Sequence, residues 1–318
     1  MKISLRQLTY FVALSETQSF GVAAARVNIS QPALSQQIKE LETVLGVQLI
    51  ERLPREARLT RAGNEVLTRA RSILADVHDL EQAVRWQDGL TGRLRLGVIP
   101  TVAPYILADV LGGLRRAQPQ LDIRVHEAQT ERLIERVVSG QLDAAVMALP
   151  VADKRLVATE VCQDRFLLAG TPARIDALMG QAERLRPKEL DPDQLLLLDE
   201  GHCLADQALE VCGLGRDHHI DLGASSLSTL CGLVSGGFGL TFLPELAVKA
   251  EMAGGSLSLL RFSEPEPYRS LAVVRRATSS DEGWMDQLCD HVADACLAQI
   301  SYARDIIAPA TPDRLVLN

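Results

Sequence analysis

The fold of the N-terminal region is decided by residues 19–46, which read SFGVAAARVNISQPALSQQIKELETVLG. Ser19 and Ser30 each precede a run with apolar residues at helical spacing, and serine is a preferred residue at a helix N-cap. The three alanines at 23–25 let a neighbouring helix approach closely at a steep crossing angle. Pro32 falls in the first turn of the second run, where its missing N–H costs nothing. This stretch predicts two helices that pack tightly across a short turn.

The second of these helices has one apolar and one polar face. Its apolar stripe consists of Ala33, Leu34, Ile38, Leu41 and Leu45. Its polar residues are Gln31, Ser35, Gln36, Lys39 and Glu42. Glutamine can hydrogen bond to base edges in the major groove of DNA, serine to bases or phosphate, and lysine can neutralise a phosphate. The pattern predicts a recognition helix, although by itself it is equally compatible with a solvated surface.

A basic hairpin is expected after this helix. Gly46 ends the helix, and residues 47–51 and 58–60 have the composition of two short strands. Four arginines concentrate positive charge in and beside the connecting loop, namely Arg52, Arg55, Arg58 and Arg61. An arginine at the tip of such a hairpin is attracted by the negative potential of the DNA minor groove. The hairpin therefore favours the DNA-binding interpretation.

The N-terminal sequence resembles a known family. The matching residues are Phe20, Ala23, Ala24, Ser30, Gln31, Pro32, Ala33, Leu34, Ser35, Ile38, Leu41, Glu42, Leu45, Gly46, Leu49, Glu51, Arg52, Leu59, Thr60, Ala62 and Gly63. Together they resemble the signature of the LysR-type transcriptional regulators. The resemblance implies an all-α winged helix-turn-helix DNA-binding domain over residues 1–60. The residues expected to contact DNA are Gln31, Pro32, Ser35, Gln36, Lys39 and Arg52.

A long helix is predicted from about Thr60 to Asp88. Apolar residues keep one stripe through it, and only Gly63 interrupts the helical pattern, near its start. An isolated helix of this length has to bury that stripe. The resemblance implies a linker helix over residues 61–90, which pairs with the same helix of a second subunit and presents two recognition helices to a two-fold symmetric operator. The alternative is a helix that packs within its own chain.

Charge is distributed unevenly along the 318 residues. The net charge of −8 alone argues against a nucleic-acid partner. However, residues 1–75 carry ten Lys and Arg against six Asp and Glu, whereas residues 92–318 carry 22 against 31. Only the N-terminal region is therefore suited to meet phosphate. Because no apolar run is long enough to span a bilayer, we expect a cytoplasmic protein without a membrane partner.

The sequence beyond Gly92 alternates strands and helices. Strands are expected at 94–99, 121–127 and 144–148, and helices at 108–117 and 131–139. This alternation predicts an α/β domain with parallel strands. The resemblance implies a regulatory domain of the periplasmic-binding-protein type with two Rossmann-like lobes. Its expected limits are 91–303 for the domain, 92–165 with 270–300 for lobe I, 166–268 for lobe II and 304–318 for a C-terminal tail.

The stretch that is most informative about function is residues 195–212, which read LLLLDEGHCLADQALEVC. It predicts a strand that ends in a polar turn with one thiol, Cys203, and a second thiol, Cys212, nine residues later. This stretch resembles the peroxide-sensing members of the LysR-type family. The resemblance implies that hydrogen peroxide oxidises Cys203 to a sulfenic acid and that Cys212 resolves it into an intramolecular disulfide. It also implies a peroxide pocket shaped by Thr101, Thr130, His202, Asp206 and Arg269.

The spacing of the two thiols sets a geometric demand. A helix across residues 204–211 would separate their Cα atoms by about 13 Å, whereas a disulfide tolerates only ~4.4–6.8 Å. Oxidation therefore has to unwind or refold this segment. The reacting thiol should also be a thiolate, and a cationic Arg269 or a protonated His202 nearby would favour that form.

The other four cysteines have less specific interpretations. Cys231 lies where the resemblance leads us to expect arginine. Cys162, Cys289 and Cys296 are expected to be buried small hydrophobes, since the last two lie seven residues apart on one face of a predicted helix. Six cysteines in a long cytoplasmic chain do not indicate a disulfide framework, and zinc-ligand spacing is absent. We expect neither a metal nor a cofactor.

Three functions are compatible with the sequence. The favoured one is a peroxide-responsive transcriptional activator. The second is a regulator of the same fold that binds a small metabolite near Thr101 and Thr130, with passive cysteines. The third is a thiol-dependent peroxidase, which would leave the DNA-binding region without a role, so we expect that the protein is not an enzyme.

The favoured function implies a set of partners. These are a double-stranded DNA operator, hydrogen peroxide, a second copy of the chain in a homodimer or homotetramer, RNA polymerase, and a thiol reductant such as glutaredoxin or thioredoxin.

Overall fold

The computed structural model describes residues 3–52, 56–85, 90, 92–181, 185–199, 201–213, 223–279 and 283–307. These residues form two compact units, the first mostly N-terminal to residue 85 and the second mostly C-terminal to it. Each unit has its own hydrophobic core. Within the described ranges, no helix has both the length and the apolar character that a membrane span needs.

The first unit contains the predicted helices and hairpin. Its described elements are α1 (Leu5–Thr17), α2 (Phe20–Arg26), α3 (Gln31–Leu45), β1 (Ile50–Arg52), β2 (Ala57–Leu59) and α4 (Arg61–Arg85). The two strands are antiparallel and shorter than predicted, since the first begins at Ile50 rather than at residue 47. The predicted end of the linker helix, at residues 86–89, lies outside the described ranges.

Local hydrogen bonds explain where these helices begin and end. The side chains of Ser19 and Ser30 accept hydrogen bonds from the backbone N–H groups of Val22 and Ala33, so both serines are N-caps as predicted. α3 ends at Gly46, whose left-handed backbone (φ 70°) suits glycine. The fully buried side chains of this unit's core include Phe11, Leu14, Leu34, Ile38 and Leu41.

The second unit begins with the predicted alternation. Its first five elements are β3 (Arg93–Val98), α5 (Ala103–Ala117), β4 (Asp122–Glu127), α6 (Thr130–Val138) and β5 (Ala144–Ala148). The later ones are β6 (Leu156–Gly170), α7 (Pro172–Gln181), α8 (Cys203–Cys212), α9 (Leu227–Ser235), β7 (Thr241–Pro244), α10 (Val248–Glu251), β8 (Ser258–Arg261), β9 (Tyr268–Arg276) and α11 (Trp284–Ile306). α5 begins before the predicted residue 108 because Pro104 fits its first turn.

The described strands of this unit form one mixed seven-stranded sheet in the order β4-β3-β5-β9-β6-β7, with β8 also paired to β6. β3 pairs in parallel with β4 and β5, as predicted. The parallel pattern does not continue, because β9 enters between β5 and β6 from the far end of the sequence and runs antiparallel to both. The alternation of strands and helices along the sequence cannot predict that a strand from so far along the chain pairs here.

Two halves share this sheet, in agreement with the two-lobed architecture implied by the resemblance. By the predicted limits, β3 to β5, α5 and α6 belong to lobe I, and α7 to α10, β7 and β8 belong to lobe II. β6 and β9 pair with each other over most of their length and continue between the lobes. α11 packs against both α5 and β6. The lobes are therefore joined by two long strands and one long helix.

The strand predicted at Leu195–Leu198 is wrong as a regular strand. These leucines are buried, but they form only an isolated bridge between Leu195 and Leu240 among the described residues. The carbonyl of Leu196 accepts its hydrogen bond from the Thr241 hydroxyl, at 2.8 Å, rather than from a strand N–H. Within the described chain, the backbone pairs here only through the bonds from the Leu196 N–H to Leu240 and from the Leu240 N–H to Gln194, both at 2.8 Å, and a side chain supplies the next bond.

We predict that Gly63→Ala destabilises the first unit. A Cβ added at Gly63 in α4 would overlap the carbonyl oxygen of Leu49, which is backbone and has little freedom to move. Overpacking of this kind typically costs ~1–3 kcal/mol. Thermal unfolding followed by circular dichroism should show a lower melting temperature.

The matched control is Gly232→Ala in α9, where nothing lies within 4 Å of the added Cβ. There the higher helix propensity of alanine should raise the free energy of unfolding by up to ~1 kcal/mol. Equal melting temperatures for the two variants would contradict the packing described for Gly63.

Candidate functional sites

The residues predicted to contact DNA occupy accessible positions of α3. Gln31, Pro32, Gln36 and Lys39 are exposed, and Ser35 is half-buried. The side-chain amide of Gln36 donates to Glu40 Oε1 at 2.9 Å. This amide has to exchange Glu40 for a base edge when it reads DNA, whereas the exposed Lys39 ammonium is already placed to meet a phosphate.

A basic cleft is formed by residues that come before α3 in the sequence, and it was not predicted. Its volume is about 660 Å³, and it is lined by Arg6, Thr9, Tyr10, Arg26, Val27, Asn28 and Ile29. Asn28 has a left-handed backbone (φ 55°), and Arg26 forms an ion pair with Glu16 at 2.8 Å. Helical spacing could not reveal this cleft because Arg6 and Arg26 belong to different helices. The positive excess of the N-terminal region was the available indication.

The hairpin carries its charge at the positions given by the strand register. Glu51 lies opposite Arg58, and the exposed Arg58 guanidinium pairs with Glu56 at 3.0 Å. Hydrogen bonding to Glu56 raises the pKa of Arg58. Arg52 closes β1, but its side chain and the whole of Arg55 lie outside the described residues.

The two candidate switch cysteines lie at opposite ends of one helix. α8 begins at Cys203 and ends at Cys212. Nine helical steps separate their Cα atoms by about 13 Å, which is far more than the ~4.4–6.8 Å of a disulfide. The helix that the sequence analysis considered across residues 204–211 is present, and a disulfide between these residues requires that α8 unwind.

The environments of the two thiols differ. Cys203 is half-buried, whereas Cys212 is buried, and burial raises the pKa of Cys212 to about 11. The adjacent His202 is also buried, and this burial lowers its pKa even though Asp199 acts in the opposite direction. His202 is therefore neutral at pH 7. The idea that a protonated His202 stabilises the thiolate of Cys203 is not supported.

Arg269 is held in a buried hydrogen-bond network. Its Nε donates to Asp164 Oδ2 at 2.9 Å, and its Nη1 and Nη2 donate to the hydroxyl and carbonyl oxygens of Thr101 at 2.8 and 3.1 Å. The side chains of Arg269 and Asp164 are both fully buried. Asp164 therefore compensates the positive charge. Because Thr101 Oγ1 accepts from Arg269, the hydroxyl proton of Thr101 points to another acceptor.

Two contacts join lobe I to the start of α8. The side-chain amide of Gln129 packs against Gly201, where an added Cβ would lie 2.9 Å from it. Gln207, one turn after Cys203, donates from Nε2 to the carbonyl oxygen of Leu149 at 3.1 Å. The end of β4 and the chain after β5 are therefore both adjacent to the segment that carries Cys203.

Two buried polar atoms in this region have no hydrogen-bond partner among the described residues, Thr130 Oγ1 and Gln207 Oε1. A buried polar atom without a partner costs ~1–3 kcal/mol, and its presence calls for an explanation such as a bound ligand or water. Gln207 lies on α8, and Thr130 follows Gln129, which packs against Gly201, so both atoms belong to segments that adjoin the start of α8. Gln207 was not predicted, although its i+4 spacing from Cys203 places it on the same face of α8.

Asp206, the remaining residue predicted for the pocket, lies in the first turn of α8 and is exposed. Its carboxylate there interacts favourably with the positive end of the helix dipole. The structure thus places Asp206 near the switch but at the surface.

The four other cysteines are buried, as predicted for three of them. Cys162 and Cys296 hydrogen bond to each other, which raises the pKa of Cys296. Burial and then Glu251 raise the pKa of Cys231 to about 12. Protonated, buried thiols are inert. Among the residues that the structure describes, Cys203 is therefore the most accessible thiol.

Two family models match the chain. Residues 5–64 match the bacterial regulatory helix-turn-helix protein of the lysR family. Residues 87–297 match the LysR substrate binding domain. The first match contains α1 to α3 and the hairpin, and the second contains the mixed sheet and α8.

The chain is also similar to individual proteins. The HTH-type transcriptional regulator EstR of Acinetobacter baylyi is 40% identical over 290 residues, which cover 90% of this chain and 95% of EstR. The hydrogen peroxide-inducible genes activator of Dickeya chrysanthemi is 37% identical over 294 residues, which cover 92% of this chain and 95% of that protein. An H2O2-bound cysteine-to-serine mutant of OxyR from Corynebacterium glutamicum has a TM-score of 0.66 at 31% identity, covering 98% of this chain and 100% of that one.

These matches extend over both units and agree with the order of elements in each. The accessible polar face of α3 and the hairpin lie in the first match, and the polar site at α8 lies in the second. The chain therefore belongs to the LysR family of bacterial transcriptional regulators.

Proposed function

We propose that the chain is a DNA-binding transcriptional activator of the oxidative-stress response, which senses hydrogen peroxide through Cys203 and Cys212. One observation carries the proposal. A half-buried thiol begins a helix whose Gln207 has a buried side-chain oxygen without a partner among the described residues, while the potential disulfide partner of the thiol is at the far end of that helix. The name of the Dickeya relative and the ligand of the Corynebacterium structure indicate the same oxidant.

The proposed chemistry has two steps. The Cys203 thiolate attacks one oxygen of hydrogen peroxide, the O–O bond breaks, and a sulfenic acid and hydroxide form, and the hydroxide takes up the proton that the thiol had released to become water. The Cys212 sulfur then attacks the sulfenic sulfur, an S–S bond forms, and a second water leaves. The two thiols supply the two electrons that the peroxide accepts. Since α8 holds the thiols apart, the second step follows the unwinding of this helix.

The pocket offers peroxide both donors and acceptors. The hydroxyl proton of Thr101, oriented by Arg269, is a donor, and the oxygen atoms of Thr130 and Gln207, for which the described part of the chain offers no partner, are acceptors. Because His202 is neutral, it can hydrogen bond to a neutral ligand and needs no carboxylate to compensate a charge. Exposed Asp206 stays in the proposed site only as a residue at its edge.

The remaining partners complete the proposed cycle. Refolding of α8 alters the regulatory domain, the contacts with a DNA operator, and the recruitment of RNA polymerase. A homodimer through α4, or a homotetramer built from it, presents two recognition helices, and glutaredoxin or thioredoxin reduces the disulfide. One oxidation per signalling cycle is not catalysis, so the proposed protein is not an enzyme. The cytoplasmic location and the domain limits at residues 60, 90 and 303 stay predictions.

A metabolite-responsive regulator is the second candidate, because the name of the similar protein EstR does not mention peroxide. In that case the cleft near Thr101 and Thr130 binds an organic ligand and the thiols are passive. The response of the thiols to peroxide distinguishes the two functions.

We predict that equimolar hydrogen peroxide converts the reduced chain to a form lighter by two hydrogens, which tryptic mass spectrometry assigns to a Cys203–Cys212 crosslink. Cys203→Ser should abolish this change because the attacking thiolate is missing. Cys231→Ser should leave it intact, since burial and Glu251 keep that thiol protonated. Unreacted thiols in the parent chain would support the metabolite-responsive regulator instead.

Thr130→Val should slow the oxidation of Cys203 without a loss of stability. The variant keeps the side-chain size and removes a hydroxyl oxygen that has no partner among the described residues, so the melting temperature should stay the same or rise. A lost hydrogen bond to peroxide of ~1–1.5 kcal/mol corresponds to an about tenfold lower rate constant. Rapid quenching followed by mass spectrometry measures that rate.

Thr130→Ser is the matched control, because it keeps the hydroxyl and should oxidise at nearly the parental rate. If Thr130→Val oxidises as fast as the parent chain, its hydroxyl does not bind peroxide.

Two substitutions in α3 should affect DNA binding differently. Lys39→Ala should weaken binding to operator and random duplexes alike and reduce the slope of log Kd against log salt concentration by about 1, as expected for one lost phosphate contact. Gln36→Ala should chiefly reduce the preference for the operator, because amides read base edges. Fluorescence anisotropy over a series of KCl concentrations measures both. Unchanged affinity in both variants would leave this face as an ordinary solvated surface.

A further inference from the structure

One further hydrogen bond joins the two lobes and involves neither Cys203 nor Cys212. The Tyr105 hydroxyl, in the first turn of α5, donates to Glu251 Oε1 at 2.8 Å. Tyr105 is in lobe I and is buried, whereas Glu251 ends α10 in lobe II. This bond has no role in the chemistry described above.

The same carboxylate also has partners within lobe II. Glu251 Oε1 accepts from the Ser228 hydroxyl at 2.8 Å, and Glu251 hydrogen bonds to the Cys231 thiol. Ser228 and Cys231 both belong to α9. Two residues of α9 therefore hold the Glu251 carboxylate in place, and the same carboxylate accepts the hydrogen bond from Tyr105 in lobe I. Burial, reinforced by Glu251, raises the pKa of Tyr105, so the phenol remains a donor at every working pH.

The backbone transmits the position of Tyr105 to the proposed peroxide pocket. The N–H of Tyr105 donates to the carbonyl of Val102 at 3.1 Å, and the N–H groups of Val102 and Ala103 donate to the carbonyl of Ile99 at 3.0 Å each. Thr101 lies inside this hydrogen-bonded turn. Its hydroxyl, in turn, accepts from Arg269. A movement of Tyr105 relative to lobe II therefore changes the position of the Thr101 hydroxyl.

We infer that Tyr105 and Glu251 are positioning residues for peroxide sensing, which clasp α5 to lobe II and so hold Thr101 in the geometry that the reaction requires. The inference rests on the proposed function, because it assigns Thr101 to the peroxide pocket. Neither residue contacts the peroxide or the reacting sulfur in this scheme. Their effect is on the rate of Cys203 oxidation and not on which thiols react.

The test compares two variants that each remove one hydroxyl bonded to the same carboxylate oxygen. Tyr105→Phe breaks the bond between the lobes, and Ser228→Ala breaks a bond within lobe II. We expect the rate constant for Cys203 oxidation, measured on the full chain by rapid quenching and mass spectrometry, to fall about fivefold in Tyr105→Phe. It should stay within about twofold of the parent in Ser228→Ala, because the Tyr105 bond remains and the Cys231 thiol still bonds to the Glu251 carboxylate.

Glu251 supplies a second comparison that does not depend on the tyrosine. Glu251→Gln retains an acceptor oxygen for Tyr105 and should oxidise at nearly the parental rate, whereas Glu251→Ala should behave like Tyr105→Phe. Rates are compared at a temperature at which circular dichroism reports every variant folded.

The outcomes separate this inference from the proposed function. Equal rates in Tyr105→Phe and Ser228→Ala, or faster oxidation in Tyr105→Phe, would overturn the inference while peroxide sensing by the parent chain stands. If the parent chain itself does not form the Cys203–Cys212 disulfide, the proposed function fails, and the inference about Tyr105 and Glu251 fails with it.

Discussion

Removing a guanidinium and a carboxylate from water costs several kcal/mol for each ion, and Arg269 and Asp164 offset part of this cost through the bonds that surround them. Burial outweighs these bonds at Asp164, whose pKa is raised. Asp164 accepts from Arg269 and from the backbone N–H of Leu246, and Arg269 also donates twice to Thr101. These bonds tie β6, β9, lobe I and lobe II at one point. The loss of either ion would leave the other uncompensated, which typically costs ~3–5 kcal/mol. The same network that joins the two lobes therefore also fixes the position of the Thr101 hydroxyl oxygen.

The distribution of the thiols gives the proposed sensor its selectivity. All the cysteines other than Cys203 are buried, and burial raises the pKa of both Cys212 and Cys231. Cys203 alone begins a helix at partial exposure, and that helix also carries Gln207, whose side-chain oxygen has no partner among the described residues. Reactivity is thus confined to one position by packing. Cys212 becomes available only when α8 opens, so the order of the two chemical steps is built into the fold.

What could be predicted from sequence was local. Ser19, Ser30 and Gly46 predicted the helix limits of the first unit because each acts on the backbone within a few residues, and the resemblance added the two-lobed fold. The failures involve distant partners. Asp164 and Arg269 are 105 residues apart, β9 enters between strands that precede it by more than a hundred residues, and the neutral state of His202 follows from tertiary burial. No spacing rule contains these contacts.

The helix between the two thiols has a further consequence for the proposed sensor, which concerns time. A sulfenic acid at Cys203 has two fates. Either α8 opens and Cys212 captures it, or a small thiol from solution first condenses with it to a mixed disulfide and water, and a second small thiol then releases the Cys203 thiol. A short exposure to the oxidant then leaves little Cys203–Cys212 disulfide, whereas a sustained exposure lets the disulfide accumulate. The time that the ten-residue helix α8 takes to open therefore separates a short exposure from a sustained one. Gly213 caps that helix with a left-handed backbone. A substitution at this cap would change the rate at which the helix opens, and therefore the delay before the response, without changing the chemistry of the pocket.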